Sequence, residues 1–242
     1  MNDSVQIIPL LNLVLVLIPV FLVIGILWKW SLGPANAAYA LGRMLVQLLL
    51  IGYCLMYIFE AENFLIVVAV LFVMVTVSSW IALGTVKTRR TTLYKQALIS
   101  ILIGGGIVLA IVTQGVLHLD PWYLPQYMIP LAGMVFANSM NAVSLAVERL
   151  NAELERQVNF DDARNIAMHA AMIPTINSML AVGLVSLPGM MTGQILSGIS
   201  PLVAARYQIM VMCMIFAAGG LSTAIFLEMS REKFTALQEK DT

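Results

Sequence analysis

The sequence predicts an all-α protein: a polytopic transmembrane helix bundle of about seven spans, N-terminus outside and C-terminus inside. Hydrophobic residues make up 60% of the chain and charged residues only 11%, against roughly 25% charge in an average soluble domain. The apolar residues fall into runs near the ~20 that cross a bilayer as a helix. The charges gather between those runs and are sparse within them. Net charge is zero and no basic run is present, so the implied partner is a lipid bilayer and not a nucleic acid. Cys54 and Cys213 both lie in apolar runs, which argues against a disulfide framework.

On that ruler the spans are 7–28, 41–59, 63–83, 97–117, 127–147, 174–199 and 207–228. The first has no basic region before it, its only early charge being Asp3, and it is too long for a cleavable signal core. It reads as a retained helix. Lys29 and Arg43 follow it, Glu60 and Glu62 follow the second span, and Lys87, Arg89, Arg90 and Lys95 form the densest basic cluster after the third. The fourth is followed by His118 and Asp120, and the tail carries Arg231, Lys233 and Lys240. Basic residues favour the cytoplasmic side of short loops, so this alternation sets the orientation, with Arg206 its one exception. The whole chain, 1–242, reads as a single transmembrane domain.

The sizeable polar stretch, Glu148 to Ala170, is expected to form a cytoplasmic helix-turn-helix at about 148–172. Leu150, Leu154 and Val158 recur at helical spacing among charges, as in an amphipathic helix. Asn159 suits a left-handed turn and a cap for the next helix. Asp161 and Asp162 would then meet the positive end of that helix. Such a stretch is ordinarily a solvated connector; its length and its direct link to Pro174 also suit a docking lever.

The lever would act on Ile173–Gln208. Pro174 stands near its start, and Leu187-Pro188-Gly189 is expected to break it in the middle, since Pro188 has no N–H and crowds the preceding turn. Gly189 would supply unusual backbone angles. Freed backbone groups in a bilayer must be buried in protein or line a wet cavity, so a kinked packing helix and a moving pathway wall are both open readings.

No charge sits at mid-membrane depth, which argues against a buried proton relay. The polar residues there are neutral. Asn138 and Asn141 share a helix face, as do Arg43 and Gln47. Thr175, Asn177, Ser178, Thr192 and Gln194 decorate the broken segment. Such side chains line pathways or join helices by hydrogen bonds. Sixteen methionines are present. Their thioethers are soft ligands, but most serve as packing. Met210, Met212 and Met214, two apart, face different sides of a helix. Met190 and Met191 stand out by adjoining Pro188. Gly104-Gly105-Gly106 lacks the GK[ST] of a phosphate loop, while Gly189 and Gly193 have the spacing of a close helix contact. Nothing pairs a nucleophile with a base, so an enzyme is not expected.

GRMLVQLLLIGY at 42–53, IPLAGMVFANSMNAVSLA at 129–146, AMIPTINSM at 171–179 and LVSLPGMMTGQILSG at 184–198, followed by Arg206-Tyr207-Gln208-Ile209, resemble the Fet-type iron-export permease family. These are membrane subunits of ABC transporters, with plant relatives linked to aluminium tolerance. The resemblance covers roughly residues 36 to 227 and is most specific around Pro188. It implies a multi-pass permease of the inner membrane, a homodimer, driven by a separate cytoplasmic ATP-binding cassette subunit that carries the ATP and Mg. This chain itself would bind no cofactor. Export of iron or another metal is implied.

On that resemblance, Glu153, Glu155, Arg156, Asn159, Asp162 and Arg164 would couple to the ATPase. Gln47, Asn138, Asn141, Thr175, Asn177, Pro188, Gly189, Met190 and Met191 would line or gate the pathway. The family's coupling loop carries a Leu-Gly-Ala-Thr type turn. Here Arg156-Gln157-Val158-Asn159-Phe160-Asp161 is shorter and lacks glycine, with Asn159 expected in its place. The alternatives are an ATP-independent ion-coupled carrier and an ABC permease for a non-metal solute such as a nucleotide sugar.

Overall fold

A computed structural model describes residues 9–60 and 63–241. Asp3, the start of the first expected span, and Glu62 lie outside them. The described residues form helices joined by turns, in two compact units, one holding the first two helices and the other the remaining six. Six helices are long and apolar enough to cross a membrane. The chain is a multi-pass membrane protein with a helical bundle fold.

In the first unit, α1 (Leu10–Lys29) and α2 (Pro34–Glu60) form a hairpin. Its turn places Ser31 at φ 57° and Gly33 at φ 65°, and Pro34 opens α2, where its missing N–H has no intrahelical partner to lose. The apolar side chains of both helices are exposed in the isolated chain, as lipid-facing side chains are.

The second unit is built on three helices. After α3 (Phe64–Ala82), capped by the Asn63 side chain accepting from the Leu65 N–H at 2.9 Å, come α4 (Arg90–Ala110), α5 (Pro125–Glu155) and α8 (Pro201–Asp241). Their core contains Ile101, Val135, Val143, Val147, Met214 and Phe226, all buried. The glycine triplet takes its role here. A Cβ on Gly104 would lie 2.6 Å from the backbone N of Ser222, and one on Gly105 would lie 2.9 Å from Val135 Cγ1. Glycine lets α4 approach both neighbours, the use small residues have between membrane helices. At the same level the Ser222 hydroxyl donates to Ser139 Oγ at 3.1 Å, buried between α8 and α5.

Three expectations are corrected. The amphipathic stretch from Glu148 is not a separate helix. It is the end of α5, because Leu150 and Leu154 continue the buried row Val143, Val147 at helical spacing and no proline or glycine intervenes. The span 174–199 is not one helix either. It is shared between α6 (Phe160–Ala181), which contains Pro174, and the eight-residue α7 (Gly189–Leu196). The chain leaves the helix at Val182, well before Pro188, and Pro188 precedes α7, a position that needs no N–H. Finally, the glycines of this segment that use their conformational freedom are Gly183 at φ 82° and Gly198 at φ 88°, not Gly189, which is helical.

The turn between α6 and α7 satisfies much of its own backbone. The Ala181 carbonyl accepts from the N–H groups of Leu184, Val185 and Ser186 at 3.2, 2.8 and 3.2 Å, and the Gly183 N–H donates to the Ser186 carbonyl at 2.9 Å. Each backbone group paired in this way is one fewer to be satisfied at membrane depth. Ion pairs hold the start of α6 beside the C-terminal half of α8, at Glu228 and Arg231. At the opposite end Gln194 of α7, Tyr207 of α8 and Gln126 of α5 line one groove. The arm α6–turn–α7 thus occupies, in two pieces, the stretch expected as the sixth span, and neither piece is among the six helices long and apolar enough to cross a membrane.

Candidate functional site

The arm lies against α5 and α8 and leaves three grooves. The first, of about 310 Å³, is lined by Asn138 and Asn141 of α5, Pro174, Thr175 and Ser178 of α6, Ser186 and Pro188 of the turn, and Met212 of α8. Its polar groups are all neutral. Asn138 donates from Nδ2 to the Met134 carbonyl at 2.8 Å, one turn back in its own helix. That bond orients the amide beside the groove and is not a bond between helices. Asn141 is exposed. The structure therefore brings together Asn138, Asn141, Thr175 and Pro188.

The other expected pathway residues are dispersed. Asn177 is exposed on α6, and Ser178, one residue on, takes the groove-facing position. Met190 lines a second groove of about 500 Å³ with Gln126, Met134, Gln194, Tyr207 and Met210. Met191 turns the other way, to a third groove of about 350 Å³. Gly189 is exposed and lines none of the three. A Cβ at Gly189 or Gly193 meets nothing within 4 Å, so among the described residues neither glycine makes room for a close helix neighbour. Gln47 is exposed on α2, in the first unit.

Residues beyond those singled out by sequence also line the grooves, among them Met134, Met179, Tyr207 and Cys213. The alternation at Met210, Met212 and Met214 is the one signal that anticipated part of this. Met210 faces the second groove, Met212 the first and third, and Met214 the core.

At the other end of α6 the helix-turn-helix is compact. Asn159 caps α6, accepting from the Asp162 N–H at 3.0 Å while its Nδ2 donates to Asp162 Oδ2. Asp161 and Asp162 occupy the first turn as expected. The left-handed residue of the turn, however, is Gln157 at φ 63°, and Asn159 is extended at φ −63°. The cap and the left-handed position are two sites, two residues apart, and Asn159 fills only the cap.

The six expected coupling residues separate by burial. Glu155, Arg156, Asn159 and Asp162 are exposed. Glu153 is buried, with its side chain 7% exposed, 2.6 Å from Arg149 and 3.5 Å from Arg156. The Arg149 contact is a charge pair without hydrogen-bond alignment, since Glu153 Oε1 has no such partner. Arg164 is partly buried and bonds Glu228 at 2.8 Å and Asp161 at 3.2 Å, while Arg231 reaches Asp161 at 3.1 Å and lies over the Phe160 ring. These bonds strap the first two turns of α6 to α8.

The model of an uncharacterised protein family, UPF0014, matches residues 10–235. The chain is 34% identical to the UPF0014 membrane protein slr1647 of Synechocystis, over 87% of this chain and 93% of that one. It is 33% identical to the Probable iron export permease protein FetB of Escherichia coli, over 93% of this chain and 90% of that protein. Against Protein ALUMINUM SENSITIVE 3 of Arabidopsis thaliana it is 33% identical, over 76% and 72% respectively. No solved structure matches. With the family match running nearly end to end over the bundle just described, the chain belongs to the UPF0014 family.

Proposed function

We propose that this chain is the permease subunit of an ABC exporter in the bacterial inner membrane, with its C-terminus in the cytoplasm. It works as a homodimer with separate cytoplasmic subunits that bind ATP and Mg, and it moves iron or another metal outward. The similarity to the Probable iron export permease protein FetB of Escherichia coli supports the permease role and the cargo. One structural observation carries the mechanism. The exposed turn 155–162 and the groove at Asn138 and Asn141 are joined by a single helix, α6.

A helix of this length transmits displacement along its axis as a rod, and its ion pairs to α8 give it a fulcrum. Movement of an ATPase docked on Glu155, Arg156, Asn159 and Asp162 would tilt α6 and shift Thr175 and Ser178 against α5. The first groove would open or close accordingly. Glu153 and Arg164 act inside the lever as struts and do not meet the partner directly.

The test is charge reversal at Glu155 and Arg156 together. The double variant is expected to retain its fold while the ATPase loses its stimulation by the permease and metal efflux from vesicles stops. Unchanged co-purification and coupling would overturn the coupling role. Efflux driven by a pH gradient, with neither ATP nor an ATPase present, would overturn the ABC assignment itself.

A further inference from the structure

We propose that the third groove binds a soft monovalent cation, Cu(I) or its analogue Ag(I), through the Cys213 thiolate and the thioethers of Met179, Met191 and Met212. Four of its nine lining residues carry sulfur, and they come from α6, α7 and α8. Met179 of α6 and Met191 of α7, on either side of the turn at 182–188, line it together with the adjacent Met212 and Cys213 of α8. Thioether and thiolate donors select cuprous ions over the harder ferrous and ferric ions.

Charge points the same way. One thiolate balances one monovalent cation, so the pair enters a low-dielectric site without a residual charge, which would be costly there. A divalent or trivalent ion would leave that charge unbalanced. Among the described residues no group of three or more His, Cys, Asp and Glu side chains could hold a hard cation. Cys213 is a free, exposed thiol, and its proton would pass to solvent as the metal binds.

A second observation marks the groove as built for a ligand. Gln208 also lines it, is only 5% exposed, and has its Oε1 without a hydrogen-bond partner. A buried amide oxygen left without a partner is costly, a cost that a bound cation or its water would offset. Methionines serving only as packing would not call for a polar side chain among them.

The site can be tested with silver ion alone on the purified full chain in detergent, and it rests on the groove and not on the export reading. Cys54 and Cys213, both free and exposed, are alkylated with a maleimide and quantified by peptide mass spectrometry, with and without Ag(I). Silver is expected to protect Cys213 at concentrations that leave Cys54 reactive, and ferrous ion to protect neither. The triple variant Met179→Leu, Met191→Leu, Met212→Leu should lose this selectivity. The single variant Met191→Leu, on a helix with no buried residues, should weaken it by at least the roughly 10–100-fold that a lost outer-shell partner costs a metal site. Equal protection of both cysteines in the unaltered chain, or full selectivity without the methionines, would overturn the site. Neither result would touch the coupling experiment, which needs the ATPase.

Discussion

The knot where α4, α5 and α8 meet and the arm α6–turn–α7 belong to one unit, yet they use glycine and polar side chains in opposite ways. In the knot, Gly104 and Gly105 admit neighbouring helices to within reach of a missing Cβ, and a buried serine pair bonds across the contact. In the arm, Gly189 and Gly193 face open space, no residue of α7 is buried, and the polar side chains line grooves. The knot has no room to move without losing packing. The arm is packed through Phe160, Ala163, Ala167, Ala171 and Met172 in the first half of α6 and buries nothing beyond Met172, so its outer part can be displaced at smaller cost. Stability resides in the first region, and the proposed motion in the second.

The comparison breaks most directly at Gly104. Gly104→Leu drives a side chain into the Ser222 backbone and should destabilise the bundle by about 1–3 kcal/mol or more, read as a fall in the thermal midpoint in detergent. A midpoint within error of the parent would mean that the knot is not close-packed. In the arm the largest effect belongs to Gly183, whose φ of 82° is foreign to residues with a Cβ. Gly183→Val should cost roughly 1–2 kcal/mol, and because the turn stands apart from the knot, the loss should appear as faster hydrogen exchange at 181–188.

Smaller effects separate the two regions further. Glu153→Gln removes the buried carboxylate between Arg149 and Arg156. Both arginines reach solvent, with side chains 41% and 69% exposed, so the loss should stay near 1 kcal/mol. It should shrink further in high salt, which denaturation at two ionic strengths would check. Ser222→Ala removes the hydroxyl pair and should cost about 0.6 kcal/mol, the average for such bonds between membrane helices. Gly189→Ala should cost nothing and, by its helix propensity, can stabilise α7 by up to about 1 kcal/mol. A clear loss of stability there would show that α7 packs against something outside this chain.

The apolar runs, the N-cap at Asn159 with Asp161 and Asp162 behind it, and the divergence of Met210, Met212 and Met214 were all legible from residue order. Each depends on hydropathy or on the 3.6-residue period. The ends of the helices were less legible. α4 begins at Arg90 and α5 runs on to Glu155 because charged residues remain helical beyond the apolar run when their neighbours Leu93, Leu150 and Leu154 still reach the core. Proline misled at Pro188, which was expected to break the helix. Pro174 is carried inside α6, while the helix ends at Val182, where the Ala181 carbonyl gathers three N–H groups and Gly183 takes the left-handed angle.

By itself the sequence determined that this protein lives in a membrane, how many apolar runs it has, and where a polar turn leads into a broken segment. Those properties are local, set by transfer free energy and backbone capping along a few consecutive residues. Tertiary structure alone decided that Gly104 rather than Gly189 bears the close contact and that Ser178 rather than Asn177 faces the groove. It also brought Met179, Met191, Met212 and Cys213 around one cavity. Each of these depends on the rotation and register of one helix against another, which residue spacing within a single helix does not encode.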